Sequence, residues 1–137
     1  MSEQIMRKWT EAFKNADWET VASLYADDAV GSDPTGATYT GREANLANDK
    51  NWRKTFSDFK FEFGEFIQSG NSSAVEMQVT ATMTGEMEMT DGSKIPPTGK
   101  TVNINNCFIY EFENGKIKSM TNYLDMMSMM GQLGLAG

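Results

Sequence analysis

The chain contains no histidine. That absence removes serine–histidine and cysteine–histidine nucleophile pairs, imidazole acid–base chemistry, and the usual zinc and non-haem iron sites. Any proton transfer must therefore fall to Asp, Glu, Lys, Tyr or Cys. The single cysteine, Cys107, cannot form an internal disulfide. It sits in a strand-like run, reads as a buried free thiol rather than a nucleophile, and fits a reducing, cytoplasmic location. No apolar stretch approaches the roughly 20 residues that span a bilayer, and no charged segment leads into an apolar one, so no membrane association is expected. Basic residues are scarce as well: 12 Lys and Arg stand against 19 Asp and Glu, a net charge of −7. Without a basic cluster to interrupt it, that charge opposes a phosphate backbone and excludes nucleic acid as an expected partner.

What is present describes a packed core. At 137 residues, 39% hydrophobic, with three Trp, eight Phe and four Tyr, the chain is one domain over residues 1–137 and not a disordered one. Eleven methionines are unusual for this length. Their positions read as core filling and a flexible apolar surface, so neither a metal nor a cofactor is expected. Glu86, Glu88 and Asp91 read as a solvated loop.

Periodicity divides the chain in two. Ile5, Trp9, Phe13 and Ala16 recur every three or four residues and predict a helix over 2–15. Asp17 reads as the N-cap of a second helix, with Trp18, Val21, Ala22, Leu24 and Tyr25 inward. "GSDPTG", residues 31–36, is turn chemistry. Thr40 and Glu43 form a capping-box pattern for a third helix running to about Trp52. From Asp58 the period becomes two: Phe59, Phe61, Phe63 and Phe66, then Val75 to Met83, then Val102 to Phe112, each mark one strand face. Asn114–Gly115 signals a hairpin into a last strand, 116–124. "GEMEMTDGSKIPPTGK" interrupts the pattern, because Pro96 and Pro97 cannot continue a central strand. Helices first and strands afterwards imply an α+β fold: a curved antiparallel sheet wrapped around the N-terminal helices, forming a cone with an internal pocket for a small molecule.

Some residues invite two readings. Asp125 stands between the last strand and an apolar run, Met126 to Leu135. It is either the N-cap of a short terminal helix or a carboxylate held among apolar side chains, with Tyr123 on its side, to move protons. Asn106 interrupts an apolar face between Ile104 and Phe108, where it either bonds to neighbouring strands or orients a ligand carbonyl. Trp9, Phe13, Tyr25, Trp52, Met83, Phe108 and Tyr123 are core residues or the lining of a substrate cavity.

Several segments resemble a known superfamily, the nuclear-transport-factor-like α+β cone, along essentially the whole chain. "LYADDAVGSDPTGATYTGREA" resembles ketosteroid isomerase, whose Asp-Pro turn supplies a general base; that resemblance implies a catalytic role for Asp33. "TMTG", "PPTGK", "ENGKI" and "YLDMMSMMGQLGL" resemble, in order and spacing, the SnoaL-like polyketide cyclases, also called ester cyclases. In those enzymes an Asp at the end of the last strand serves an aldol-type ring closure, which implies the same for Asp125. Two departures stand out. Met83 occupies the place of a histidine common in the cyclases. Trp9 falls where the isomerases carry a tyrosine, and no strand acid accompanies it.

The resemblance implies an acid–base cyclisation of a carbonyl substrate without a cofactor, with Asn106 and Trp9 as donors to the developing oxyanion. Two other readings stand beside it. One is an isomerase-like lyase, isomerase or hydrolase that uses Asp33. The other is a non-catalytic module that binds an apolar small molecule or dimerises. A homodimer is expected in each case, through a sheet face carrying Gln78, Thr80, Thr82 and Asn105.

Overall fold

A computed structural model describes residues 2–89 and 91–135. Two amphipathic helices open the chain. α1 (Ser2–Lys14) buries Ile5, Met6, Trp9, Ala12 and Phe13; Ile5, Trp9 and Phe13 follow the predicted stripe, whereas Ala16 lies past the helix end, exposed and at φ 57°. α2 (Trp18–Leu24) starts at Asp17, whose side chain accepts hydrogen bonds from the Thr20 backbone N (3.3 Å) and hydroxyl (2.6 Å). The chain turns extended at Tyr25, one residue before the predicted helix would end, and runs on as β1 (Tyr25–Ser32). A short β2 (Thr38–Thr40) pairs back onto it.

α3 (Arg42–Thr55) begins at Gly41, with φ +96° and no side-chain cap. The predicted Thr40–Glu43 capping box does not form, because Thr40 is still in β2 and Gly41 turns the chain into the helix. Four long strands follow: β3 (Phe56–Ser69), β4 (Ser72–Met83), β7 (Thr101–Glu113) and β8 (Lys116–Leu124). Between β4 and β7 the interrupting segment forms a separate two-stranded hairpin, β5 (Met87–Glu88) and β6 (Lys94–Ile95). A terminal helix, α4 (Met126–Gln132), closes the fold.

The main sheet runs β2-β1-β8-β7-β4-β3. It is antiparallel throughout except that β1 lies parallel to β8, so the sheet is mixed rather than the simple meander the strand order implies. Register shifts interrupt β3 between Ser57 and Lys60 and between Phe63 and Phe66. Such bulges bend a strand and strengthen its twist, which curls the sheet around the helices. The second shift also keeps Phe66 on the face of Phe63, breaking strict alternation. Asn114 and Gly115 both take positive φ (54° and 74°), the conformation a tight two-residue hairpin demands. On the concave face Val75, Met77, Val79, Ala81, Met83 and the even-numbered residues of β7 from Val102 to Phe112 are buried. The architecture is α+β. No helix among the described residues is long and apolar enough to cross a membrane.

Candidate active site

α1, α3 and the concave sheet face enclose a cavity of about 100 Å³. Trp9, Phe13, Phe59 and Phe108 give it an aromatic lining: the Trp9 and Phe13 rings stack at 5.1 Å, and Phe59 meets Phe13 edge-on at 5.0 Å. A wider depression of about 440 Å³ adjoins the cavity and shares Asp33, Asn48 and Trp52 with it. Met87 and Met89 from the β5–β6 segment and Met126 and Met130 from α4 line that depression.

One hydrogen-bonded chain crosses the apolar interior. Trp9 Nε1 donates to the Tyr25 hydroxyl (3.2 Å), which donates to Asp49 Oδ2 (2.6 Å). Asp49 comes from α3, is 7% exposed, and belongs to none of the ion pairs among the described residues. Loss of water disfavours its charged form and raises its pKa to about 7; the Tyr25 hydrogen bond opposes that only partly. Tyr25 is pushed well above its ordinary value, first by burial and then by the Asp49 charge beside it. Its hydroxyl therefore stays protonated and keeps donating.

Asp33 is also on the cavity wall and also buried, but its carboxylate is engaged on both oxygens. Oδ1 accepts from the Thr35 backbone N (2.9 Å) and from the Thr35 hydroxyl, and Oδ2 accepts from the Tyr39 hydroxyl (2.9 Å). The tyrosine in turn is pushed up to about 12 by its own desolvation and by Asp33. Asn45, buried on α3, ties the neighbouring strands together: its Nδ2 donates to the carbonyls of Ala29, Tyr39 and Gly41. Asn106 lines the sheet wall and donates to Asn122 Oδ1 at 3.1 Å.

The cavity gathers Asp33, Asn106, Trp9, Phe13, Tyr25, Trp52 and Phe108 from the predicted set. Three predicted residues lie elsewhere. Asp125 is exposed and caps α4, accepting from Ser128 N at 3.0 Å, so it is not surrounded by the apolar side chains a pocket role requires. Strand alternation explains this: Met120, Asn122 and Leu124 line the cavity, and Tyr123, 57% exposed, points the other way. Met83 is fully buried in the core beyond the cavity lining, where its sulfur accepts from the Thr98 hydroxyl at 3.6 Å. Of the two expected oxyanion donors, Trp9 Nε1 gives its only hydrogen to Tyr25, and Asn106 Nδ2 gives one of its two to Asn122.

Asp49 escaped the sequence reading because an acid in "LANDKNW" looks like a solvated helix position. The available signal was spacing. Asn45, Asp49 and Trp52 fall four and three apart, one stripe of α3 on which both polar members are buried.

Comparison with known proteins bears on this geometry. The model of the SnoaL-like polyketide cyclase family matches residues 3–133. The chain belongs to that family. No curated protein matches it in sequence. Among solved structures it is similar to a candidate SnoaL-like polyketide cyclase from Jannaschia sp. CCS1, with a TM-score of 0.83 and 14% identity over 99% of this chain and 92% of that one. It is also similar to IdmH, a candidate polyketide cyclase from Streptomyces antibioticus, with a TM-score of 0.78 and 24% identity over 96% and 97% of the two chains. An epoxide hydrolase of M. tuberculosis, described as LEH-like, superimposes with a TM-score of 0.74 and 16% identity over 95% and 86%. At these identities the likeness establishes the fold, a cone that serves more than one chemistry.

Proposed function

We propose that this SnoaL-like protein is an acid–base enzyme of the cyclase or isomerase type, acting on a small carbonyl compound, with Asp49 as its proton-transfer group. The observation that carries this reading is a buried carboxyl on the wall of an aromatic cavity, held at 2.6 Å by a tyrosine hydroxyl and unpaired with any cation among the described residues. The carboxylate would remove a proton from carbon next to a carbonyl. The C–H electron pair becomes an enolate, which attacks an internal carbonyl carbon to form a C–C bond. The new alkoxide then recovers the proton from Asp49. The sequence is redox-neutral and returns Asp49 to its starting state, so it calls for no cofactor. Tyr25 would orient the carboxyl group. Asn48 lines both the cavity and the depression, and its side chain makes no hydrogen bond among the described residues, so its amide would be a donor for a substrate oxygen.

The outer sheet face supports a homodimer. There Ile67, Ala74 and Ile109 sit side by side across β3, β4 and β7, with Ile67 65% and Ile109 46% exposed, next to the polar row of Gln78 and Asn103. The unpaired Cys107 supports a reducing, cytoplasmic setting.

Hydrogen–deuterium exchange at the acidic carbon of small β-keto esters tests the reading. The wild type is expected to accelerate exchange, Asp49→Asn to lose about a hundredfold or more, and Asp125→Asn to retain it. Exchange that survives Asp49→Asn but disappears with Asp33→Asn would move the role to the second cavity acid. Binding without any accelerated exchange would overturn the catalytic reading in favour of a binding module.

A further inference from the structure

The cavity beside Asp49 adjoins a depression that proton transfer does not use. At about 440 Å³ the depression is more than four times the cavity's volume of about 100 Å³. Asp33, Asn48 and Trp52 line both spaces, so one molecule can lie across the junction. The walls of the depression are fastened in place. On one side the Thr84 and Gly85 backbone N–H groups donate to the Thr55 carbonyl (3.1 and 3.0 Å), and the Thr55 hydroxyl donates to the Glu86 carbonyl (2.8 Å). On the other, Gln132 holds α4 against β7: its Oε1 accepts from Asn103 N (2.7 Å) and its Nε2 donates to the Asn103 carbonyl (3.1 Å). The last β8 partner of β7 is Leu124, opposite Asn106, so at Asn103 the side-chain amide stands where a strand would. Buried Met129 and Leu133 anchor the same helix end.

The two spaces differ in character. Around the cavity Trp9, Phe13, Phe59 and Phe108 present rigid ring faces. The depression instead offers Met87 and Met89 from the β5–β6 segment and Met126 and Met130 from α4, all four half-buried. Met126 and Met130 lie four apart, on one side of α4, while Met129 turns inward. Thioether side chains are unbranched and turn about several bonds, so they repack around a partner that has no fixed shape. Leaving four of them half in water forgoes burial that an apolar occupant would supply. Lys54, Glu86, Glu88 and Lys94 form an exposed margin in which both signs are present, so no field favours a charged occupant.

We infer that the depression receives an open, apolar chain belonging to the same molecule whose carbonyl end lies beside Asp49. The substrate is then a β-keto compound with a flexible hydrocarbon substituent, not a fused polycycle. A chain of single bonds can follow the junction past Asn48 and Trp52 at whatever angle it takes; a fused ring system cannot bend there. Complete removal of a methylene from water tightens binding about fourfold. In a half-open depression, with chain rotations frozen on binding, about twofold is expected. The placement of the carbonyl end rests on the proposed role of Asp49; the placement of the chain does not.

The test is a calorimetric or NMR titration with three probes: methyl acetoacetate, the methyl ester of β-ketodecanoic acid, and methyl naphthoylacetate. The wild type should bind the decanoic ester on the order of fiftyfold more tightly than the acetoacetate, and more tightly than the naphthoyl ester. Met126→Gln combined with Met130→Gln keeps side-chain length but adds a polar end, and should remove most of that gain while leaving acetoacetate binding unchanged. Met127→Gln, at a residue 80% exposed and outside the depression, should leave the gain intact. Asp49→Asn should lose proton exchange yet keep the gain. A gain in the wild type without any accelerated exchange would sink the catalytic reading and leave this one standing. Equal binding of the two chain lengths, a gain undiminished in the double variant, a naphthoyl ester bound as tightly as the chain, or no binding at millimolar concentration would each overturn it. The wild-type series decides alone if the double variant does not fold.

Discussion

Asp49 and Asp125 are the same residue type with opposite fates. Asp125 is exposed at a helix terminus, where its side chain accepts from the Ser128 N–H. Asp49 meets rings and one hydroxyl, so its proton is held up to about 7 rather than leaving near 3.8. That shift couples stability to pH with a definite sign. Between those values the native state binds more protons than the unfolded chain. Asp49 therefore contributes its full stability below about 3.8 and loses it as pH rises towards 7. Replacing it with Asn removes the loss. Urea titrations of the wild type and Asp49→Asn from pH 4 to 8 should show the variant gaining on the wild type by on the order of a few kcal/mol across that range. A difference that stays flat with pH would contradict the burial of a titrating carboxyl here. At this scale the aromatic lining and Asn106 were legible in the sequence, because period marks them, while for Asp125 turn position offered the cap only as one of two readings. Asp49 was not legible, since its environment is made by Tyr25 and Trp9, distant in sequence.

The elements that build the site were unequally legible for a similar reason. α1, β4 and β7 carry long regular patterns, and the faces those patterns predict are buried; β8 does not, and its Tyr123, expected on the cavity side, points out. β1 has no such pattern: "YADDAVGS" places Asp27 and Asp28 outside and only Tyr25, Ala29 and Gly31 inside, with a register break against β8 between Tyr25 and Val30. A parallel pairing formed by so polar a segment depends on what α3 supplies. Asn45 ties into the Ala29 carbonyl, and the backbone at Gly31 comes so close that a Cβ there would lie 2.0 Å from Asn45 Oδ1. The β5–β6 hairpin was legible as an interruption but not as part of the mouth. Its place there depends on Gly85, whose backbone packs so tightly that a Cβ would lie 2.1 Å from the Lys54 carbonyl. Both contacts are tertiary, and neither leaves a trace in local propensity.

At the scale of the whole molecule, a curved sheet curls over the helices and leaves an aromatic-lined cavity that Asp33, Asn48, Asp49 and Asn106 also line. The α+β cone and its pocket could be read from the change of period along the chain; the parallel β1–β8 seam, which brings Tyr25 under α3, could not. The convex side of the same sheet carries the exposed Ile67–Ala74–Ile109 row, which a second copy would cover. Light scattering at tens of micromolar should return a dimer, and Ile109→Lys should shift it to monomer without loss of fold. A wild-type monomer at that concentration would place the proposed interface elsewhere or nowhere.

The central claim is that the working acid of this cone is Asp49, inside the cavity. It is tested most directly by a carbon-detected NMR titration of the Asp49 carboxyl group, with Asp49→Asn to fix the assignment. A midpoint near 7 is the predicted result, that of a desolvated carboxyl suited to proton transfer at neutral pH. A midpoint at or below about 4, the ordinary range of a hydrated aspartate, would contradict the account.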